Sequence, residues 1–227
     1  VIVDLTTLEK CGKFKAFAHL IPVLQGKRGL HVVVLYLVVG SLRMPWGFRV
    51  WRGKGKPSAA NLAIRLIHTL PPQVTRTFRV IILTDTAFGS VEFLKTMRKR
   101  RYPVIVGVRC DRKLSDGRQG CDLGQKGQQV RLEGLSFPVT ISWLYLKRDG
   151  KLEQRFVRST RPLKGSTITW WGRRRWGIEG FFKTIKHRFG LHRFGQQTLV
   201  GVYRWFILCL ISFILAHWVY LSTSPTE

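Results

Sequence analysis

The sequence predicts a mixed α/β fold, a mixed β-sheet flanked by helices. Three observations carry that reading. β-Branched apolar runs come first, a strand–helix–strand unit follows, and a Gly-rich stretch of alternating polarity separates that unit from a helical C-terminal part.

Taken in order, Val1–Val3 is a short apolar run that ends on Asp4. His31–Val39 is a second strand, and Phe48–Trp51 a third, reached through the turn-like Met44-Pro45-Trp46-Gly47. Ser58–Leu70 reads as a helix: Ser58 can cap it, Leu62, Leu66 and Leu70 recur every four residues, and Pro71-Pro72 stops it. Arg79–Thr84 is a buried strand that ends on Asp85, Val91–Arg100 a helix, and Pro103–Val108 another buried strand. From Asp111 to about Lys164 the chain turns polar, with alternation at Gln129–Leu132, Val139–Leu146 and Arg155–Ser159, the pattern of a β-rich insertion. Arg173–Arg188 has helical periodicity. Thr198–Leu221 is apolar apart from Arg204, His217 and a few hydroxyls, and reads as a core helix in preference to a membrane span. Val1 falls inside an apparent strand, so the sequence reads as part of a longer product.

Charge narrows the partners. Thirty-nine Lys and Arg against 12 Asp and Glu give a formal net charge of +27. A compact chain so charged repels itself unless a polyanion is at hand, and nucleic acid is the default one. Hydrophobic residues at 45% exclude wholesale disorder. The four cysteines, Cys11, Cys110, Cys121 and Cys209, form no C-x-x-C pair, which argues against a zinc ribbon or a thioredoxin-like site and for a reducing, cytoplasmic setting.

Because acids are scarce, each one in an apolar setting asks for a reason. Asp4 and Asp85 each follow an apolar run, and an acid at the carboxyl end of a strand stands where open sheets bind ligands; the plainer alternative is a turn or cap residue. Glu179 is the sole carboxylate between Glu153 and Glu227, a span that holds twelve Lys or Arg residues. On a helix Arg175, Glu179, Lys183 and Lys186 share a face, among Trp176, Ile178, Phe181, Phe182, Ile185 and Phe189. An exposed ladder of salt bridges is the alternative. Three carboxylates suit hard divalent cations such as Mg²⁺, and two such ions support in-line phosphodiester displacement. The basic face beside Glu179, including Lys183, would hold the phosphodiester.

The run Arg175-Trp-Gly-Ile-Glu179-Gly-Phe-Phe-Lys183-Thr-Ile-Lys186 resembles the signature of bacterial insertion-sequence transposases of the DDE class. The match is to the subgroup marked by Tyr, Arg, Glu and Lys at Y-x2-R-x3-E-x6-K. VIVDLTTLEK and VIILTDTAFGS are similar to the segments that bear that family's two catalytic Asp. The resemblance implies an RNase H-like core in two parts, 1–110 and 165–227, split by the insertion at 111–164. It implies Asp4, Asp85 and Glu179 as the catalytic and metal-binding triad, with two Mg²⁺ or Mn²⁺ ions, and Arg175 and Lys186 on the DNA backbone. It further implies double-stranded transposon ends and target DNA as partners, a homodimer on DNA, no membrane, and a nucleoid-associated place in a bacterial cytoplasm. The chemistry would be endonucleolytic nicking followed by strand transfer; the alternatives are another RNase H-like nuclease or an inactive remnant that only binds DNA. The expected Tyr falls on Gly172, with Trp171 beside it. An exposed Trp143 would offer a surface for an unpaired base, although the alternation around it favours an inward ring.

Overall fold

The computed structural model describes residues 1–10, 17–148 and 150–223; Cys11 lies outside the described residues, as do the last four of the segment 165–227. The strands are β1 (Ile2–Glu9), β2 (Val23–Leu24), β3 (Lys27–Val39), β4 (Leu42–Trp51), β5 (Ile82–Thr84), β6 (Val104–Val108), β7 (Gln128–Val130), β8 (Val139–Arg148) and β9 (Lys151–Ser159). The helices are α1 (Ala59–Ile67), α2 (Pro72–Thr77), α3 (Val91–Lys99), α4 (Gly165–Arg175), α5 (Gly177–His187) and α6 (Leu199–Thr223). Strands in parallel and antiparallel pairs, with helices packed on them, make the mixed α/β architecture that the sequence predicts. The chain divides into two compact units: a central one, Ile67–Trp176 with Val1, and a terminal one, Ile2–Leu66 with Gly177–Glu227.

In the central unit β5 and β6 run parallel, joined through α3. Parallel neighbours need such a crossover, and here α3 buries Phe93, Leu94 and Met97 while Ser90 Oγ accepts the Phe93 N–H at its start. β9 then pairs antiparallel with β6, β8 with β9, and β7 with β8. The polar stretch 111–164 therefore supplies strands to the same sheet that carries β5. Helix α4 packs on β8, β9, β6 and β5.

In the terminal unit β3 is the axis. It pairs with β1 from Gly29↔Glu9 to Tyr36↔Ile2 and with β4 from His31↔Trp51 to Val39↔Leu42. Leu30 through Leu37 are all buried, which explains the unbroken apolar run in place of alternation. α5 turns Ile178, Phe181, Phe182 and Ile185 inward. Aromatic rings knit this core: Phe181 stacks on Tyr36 (centroids 4.6 Å) and meets Phe213 edge-on (4.9 Å), and Phe206 lies against Phe48 (5.5 Å) and Phe194 (5.6 Å).

Four local expectations change. Asp4 is not at a strand tip: the strand continues through Glu9, because Leu5–Leu8 are good strand formers matched by Leu30–Val33. Met44–Gly47 is not a turn but part of β4, where a register shift beside Leu35 and Tyr36 accommodates the missing N–H of Pro45. Arg173–Arg188 is not one helix: α4 ends at Arg175 and α5 begins at Gly177, a residue that favours a break. Helix α6 is not buried all round. Val202, Phe206 and Cys209 form its buried seam, Ile207, Leu208, Ile211, Leu215 and Trp218 are exposed, and it is long and apolar enough to cross a membrane by length and composition.

Removing the ring at the centre of the terminal unit tests this packing. Phe206→Ala should cost roughly 3–5 kcal/mol in denaturant unfolding; a loss below about 1 kcal/mol would mean that Phe206 does not hold α6 in place.

Candidate functional site

Asp85 directly follows β5 and opens a tight turn, Thr86–Phe88, whose Ala87 N–H donates to Asp85 Oδ1 at 2.9 Å. It thus fills the capping role as well as the strand-end position. Its neighbourhood is unusual for a cap. Burial pushes the carboxyl above its ordinary range, against the Ala87 N–H, the positive charge of Arg175 and the Phe88 N–H, which pull it down. Arg175, the last residue of α4, is half-buried.

The turn is fastened from below. Thr86 packs so closely on β6 that a Cβ at Gly107 would stand 2.6 Å from its hydroxyl. Arg158 on β9 is 2% exposed and donates to the carbonyl oxygen of Gly89. Burial lowers its guanidinium to about 10, with Arg112 adding to the effect. Sequence reasoning does not find this guanidinium: Arg158 is the one charge in Phe156–Thr160, a run whose complete burial only the structure shows.

Asp4 lies within β1, opposite Val34, and is 6% exposed; its Oδ1 accepts the Leu5 N–H at 2.8 Å. Glu179 is in the first turn of α5, where the helix dipole favours an anion, and it is exposed. Lys183, one turn on, is exposed as well. Lys186 is half-buried and donates to the Thr7 carbonyl of β1 at 3.0 Å, so it ties α5 to the strand that carries Asp4. Burial lowers its amine, Lys27 lowers it further, and Glu9 raises it.

Asp4 and Glu179 thus belong to the terminal unit and Asp85 to the central one. Among the described residues no group of three or more His, Cys, Asp or Glu is gathered as a metal cage. The donor chemistry itself suits a hard divalent ion: carboxylate oxygens, one of them in a setting where added positive charge would favour ionisation.

Gly172 has a packing reason. It faces the sheet from α4, and a Cβ there would meet Val157 at 3.2 Å and Leu144 at 3.6 Å, leaving no room for a tyrosine ring. Trp143 is buried beside Phe156 with centroids 5.6 Å apart, so the inward reading holds and the idea of a base-stacking surface falls.

A family model described as "Transposase DDE domain" matches residues 1–215. The chain belongs to the DDE transposase domain family. No curated protein matches it in sequence. Among solved structures it is similar to a chain of a cryo-EM structure of a piggyBac transposase synaptic complex with hairpin DNA, at 12% identity and a TM-score of 0.48. That likeness covers 100% of this chain, which spans about half (54%) of the other.

The raised carboxyl of Asp85 makes a prediction about stability. A group raised on folding stabilises the fold fully below its unfolded value and loses that contribution as pH rises through its folded value. At neutral pH, therefore, the ionised Asp85 opposes folding. Asp85→Asn keeps an acceptor for Ala87 and removes the charge, so its melting temperature should exceed the parent's at pH 7, and the two should converge below the ordinary carboxylate range. A variant that melts lower at pH 7 would contradict this picture of the site.

Proposed function

We propose that this DDE transposase domain is a DNA transposase catalytic domain, which nicks DNA at transposon ends and transfers the freed strand to a target. The observation that carries the reading is Asp85, a carboxylate that directly follows a sheet strand and lies within the field of Arg175, in a chain of this family.

In this reading Asp4, Asp85 and Glu179 are the catalytic carboxylates and hold two divalent ions, Mg²⁺ or Mn²⁺. When bound, those ions supply Lewis-acid activation of the attacking oxygen and stabilisation of the leaving one. Arg175 balances charge at Asp85 and contacts a phosphodiester oxygen. Lys183, on the same exposed face as Glu179, contacts the DNA backbone. Lys186 positions α5 on β1 through Thr7, and its DNA contact is secondary to that bond. In the nick a water oxygen bonds to phosphorus and the bond to the 3′ oxygen breaks, leaving a 3′-hydroxyl. In strand transfer that hydroxyl attacks a target phosphodiester, and the target's own 3′ oxygen leaves. Double-stranded transposon ends and target DNA are the substrates, and a homodimer on paired ends is the working form. An insertion-sequence origin, in a bacterial cytoplasm at the nucleoid, accords with the Arg, Glu and Lys positions of the Y-R-E-K pattern. Gly172 removes the hydroxyl that its Tyr would bring.

Asp4→Asn, Asp85→Asn and Glu179→Gln should each lower Mg²⁺-dependent nicking of an end-containing duplex by more than about 100-fold, because even partners behind metal ligands are commonly worth 10–100-fold. Duplex affinity should stay close to the parent's. If the parent binds duplex and never nicks it, the chain is an inactive remnant; if a variant nicks as the parent does, another residue does the chemistry.

The two lysines of α5 should separate. Lys183→Ala should make the salt dependence of DNA binding shallower by about one unit and leave the melting temperature alone. Lys186→Ala should also destabilise the fold by roughly 1 kcal/mol, since the Thr7 carbonyl loses its donor. Equal melting temperatures for the two would remove the positioning role.

A further inference from the structure

A second basic site lies in the central unit, away from Asp85. A cavity of about 390 Å³ is lined by Arg98, Lys99, Arg101, Tyr102, Thr160 and Arg161, together with Pro103. Pro103 precedes β6, and Thr160 follows β9. The start of β6 and the end of β9 are clasped there: the Val104 N–H donates to Thr160 Oγ1 at 3.0 Å, and the Thr160 N–H donates to the Val104 carbonyl at 3.0 Å. Ile82 at the start of β5 donates to the Pro103 carbonyl at 2.8 Å. The cavity is therefore at the amino ends of β5 and β6, whereas Asp85 is at the carboxyl end of β5, roughly 10 Å away along the strands.

Four cations meet here and no carboxylate is among the lining residues. Elsewhere in the same unit, acids are used in local pairs with an arginine two positions off: Arg109 with Asp111, Arg118 with Asp116, Arg155 with Glu153. Of the four, Arg98 is engaged by the fold, donating to the Thr160 carbonyl at 3.2 Å and lying over the Phe137 ring. Lys99 and Arg101 are exposed and Arg161 is half-buried. The dipole at the end of α3 accounts for Arg98 and Lys99. It does not account for Arg161, which comes from beyond β9, nor for Arg101, which holds a φ of 61° where glycine or asparagine is the usual occupant. Like charges converging without an acid, one of them on disfavoured backbone, repel one another until an anion arrives.

We propose that this corner binds the phosphodiester backbone of duplex DNA, as a contact separate from the cleavage site and indifferent to base sequence. Lys99, Arg101 and Arg161 supply the charge, and the Tyr102 hydroxyl is available as a donor. The inference rests on the reading of the chain as a DNA-acting protein, and extends it from one end of the central sheet to the other.

The test is the salt dependence of binding to a random-sequence duplex by the full chain. Lys99→Ala with Arg161→Ala should make the slope of log K against log salt shallower by about two units, at about 0.9 per phosphate contact. Arg101→Gly should take away about one more unit while holding or raising the melting temperature, since glycine accepts the positive φ. A merely structural arginine would give the opposite pattern, with a lower melting temperature and unaltered affinity. An unchanged slope in the double variant overturns the proposal. So does saturable binding of inorganic phosphate, abolished by the same substitutions, beside an unchanged DNA slope, which would assign the corner to small anions. Duplex binding with no nicking leaves this site standing and sinks the cleavage reading; nicking with an unmoved slope does the reverse.

Discussion

The turn that carries Asp85 is held at three points, and burial disfavours the charge it presents. The contacts are the Ala87 N–H on Asp85 Oδ1, Thr86 seated over Gly107, and the Arg158 guanidinium on the Gly89 carbonyl. β6 and β9 carry the last two, so the parallel β5–β6 pair and the antiparallel β6–β9 pair both serve to fix one side chain. Arg158 is itself pushed down by burial, and its Nε has no hydrogen-bond partner among the described residues. The turn thus joins two charges of opposite sign that burial disfavours, an arrangement kept at some expense of stability.

The same scarcity of acids shapes the rest of the molecule. With +27 net charge, most cations find no acidic partner, and where they gather is informative. Arg175 stands by Asp85, Lys183 on the face of Glu179, and Lys99, Arg101 and Arg161 at the far end of the central sheet. A polyanion that touches such places gains affinity by counterion release at each. Lys186 is the counterexample: it shares a helix with Glu179 and Lys183, yet its ammonium serves the backbone of β1.

Much of this was legible in the chain. The apolar runs marked β3, β5 and β6, since fully buried strands read as unbroken β-branched stretches, and Glu179 stood out as one acid among twelve cations. The architecture also followed, because a parallel pair must be joined by a helix of α3's kind. What was not legible depends on partners distant in sequence. Asp4 read as a strand end because apolar residues stop there, but pairing with β3 carries the strand five residues further. The break at Gly177 and the shift at Pro45 are local signals whose outcome tertiary packing decides. Gly172 looked like a lost tyrosine; the closeness of Val157 and Leu144 explains the glycine, and no spacing rule announces that. Helix α6 is apolar all round, so sequence could not tell its buried seam from its exposed side.

We propose that Asp4, Asp85 and Glu179 serve one divalent-metal centre. Anomalous scattering from Mn²⁺ in crystals of the chain with an end-containing duplex tests it most directly. Manganese density bonded to carboxylate oxygens of all three residues, next to a phosphodiester, is the expected result. Manganese held by other side chains, in crystals whose DNA is nicked, would contradict it.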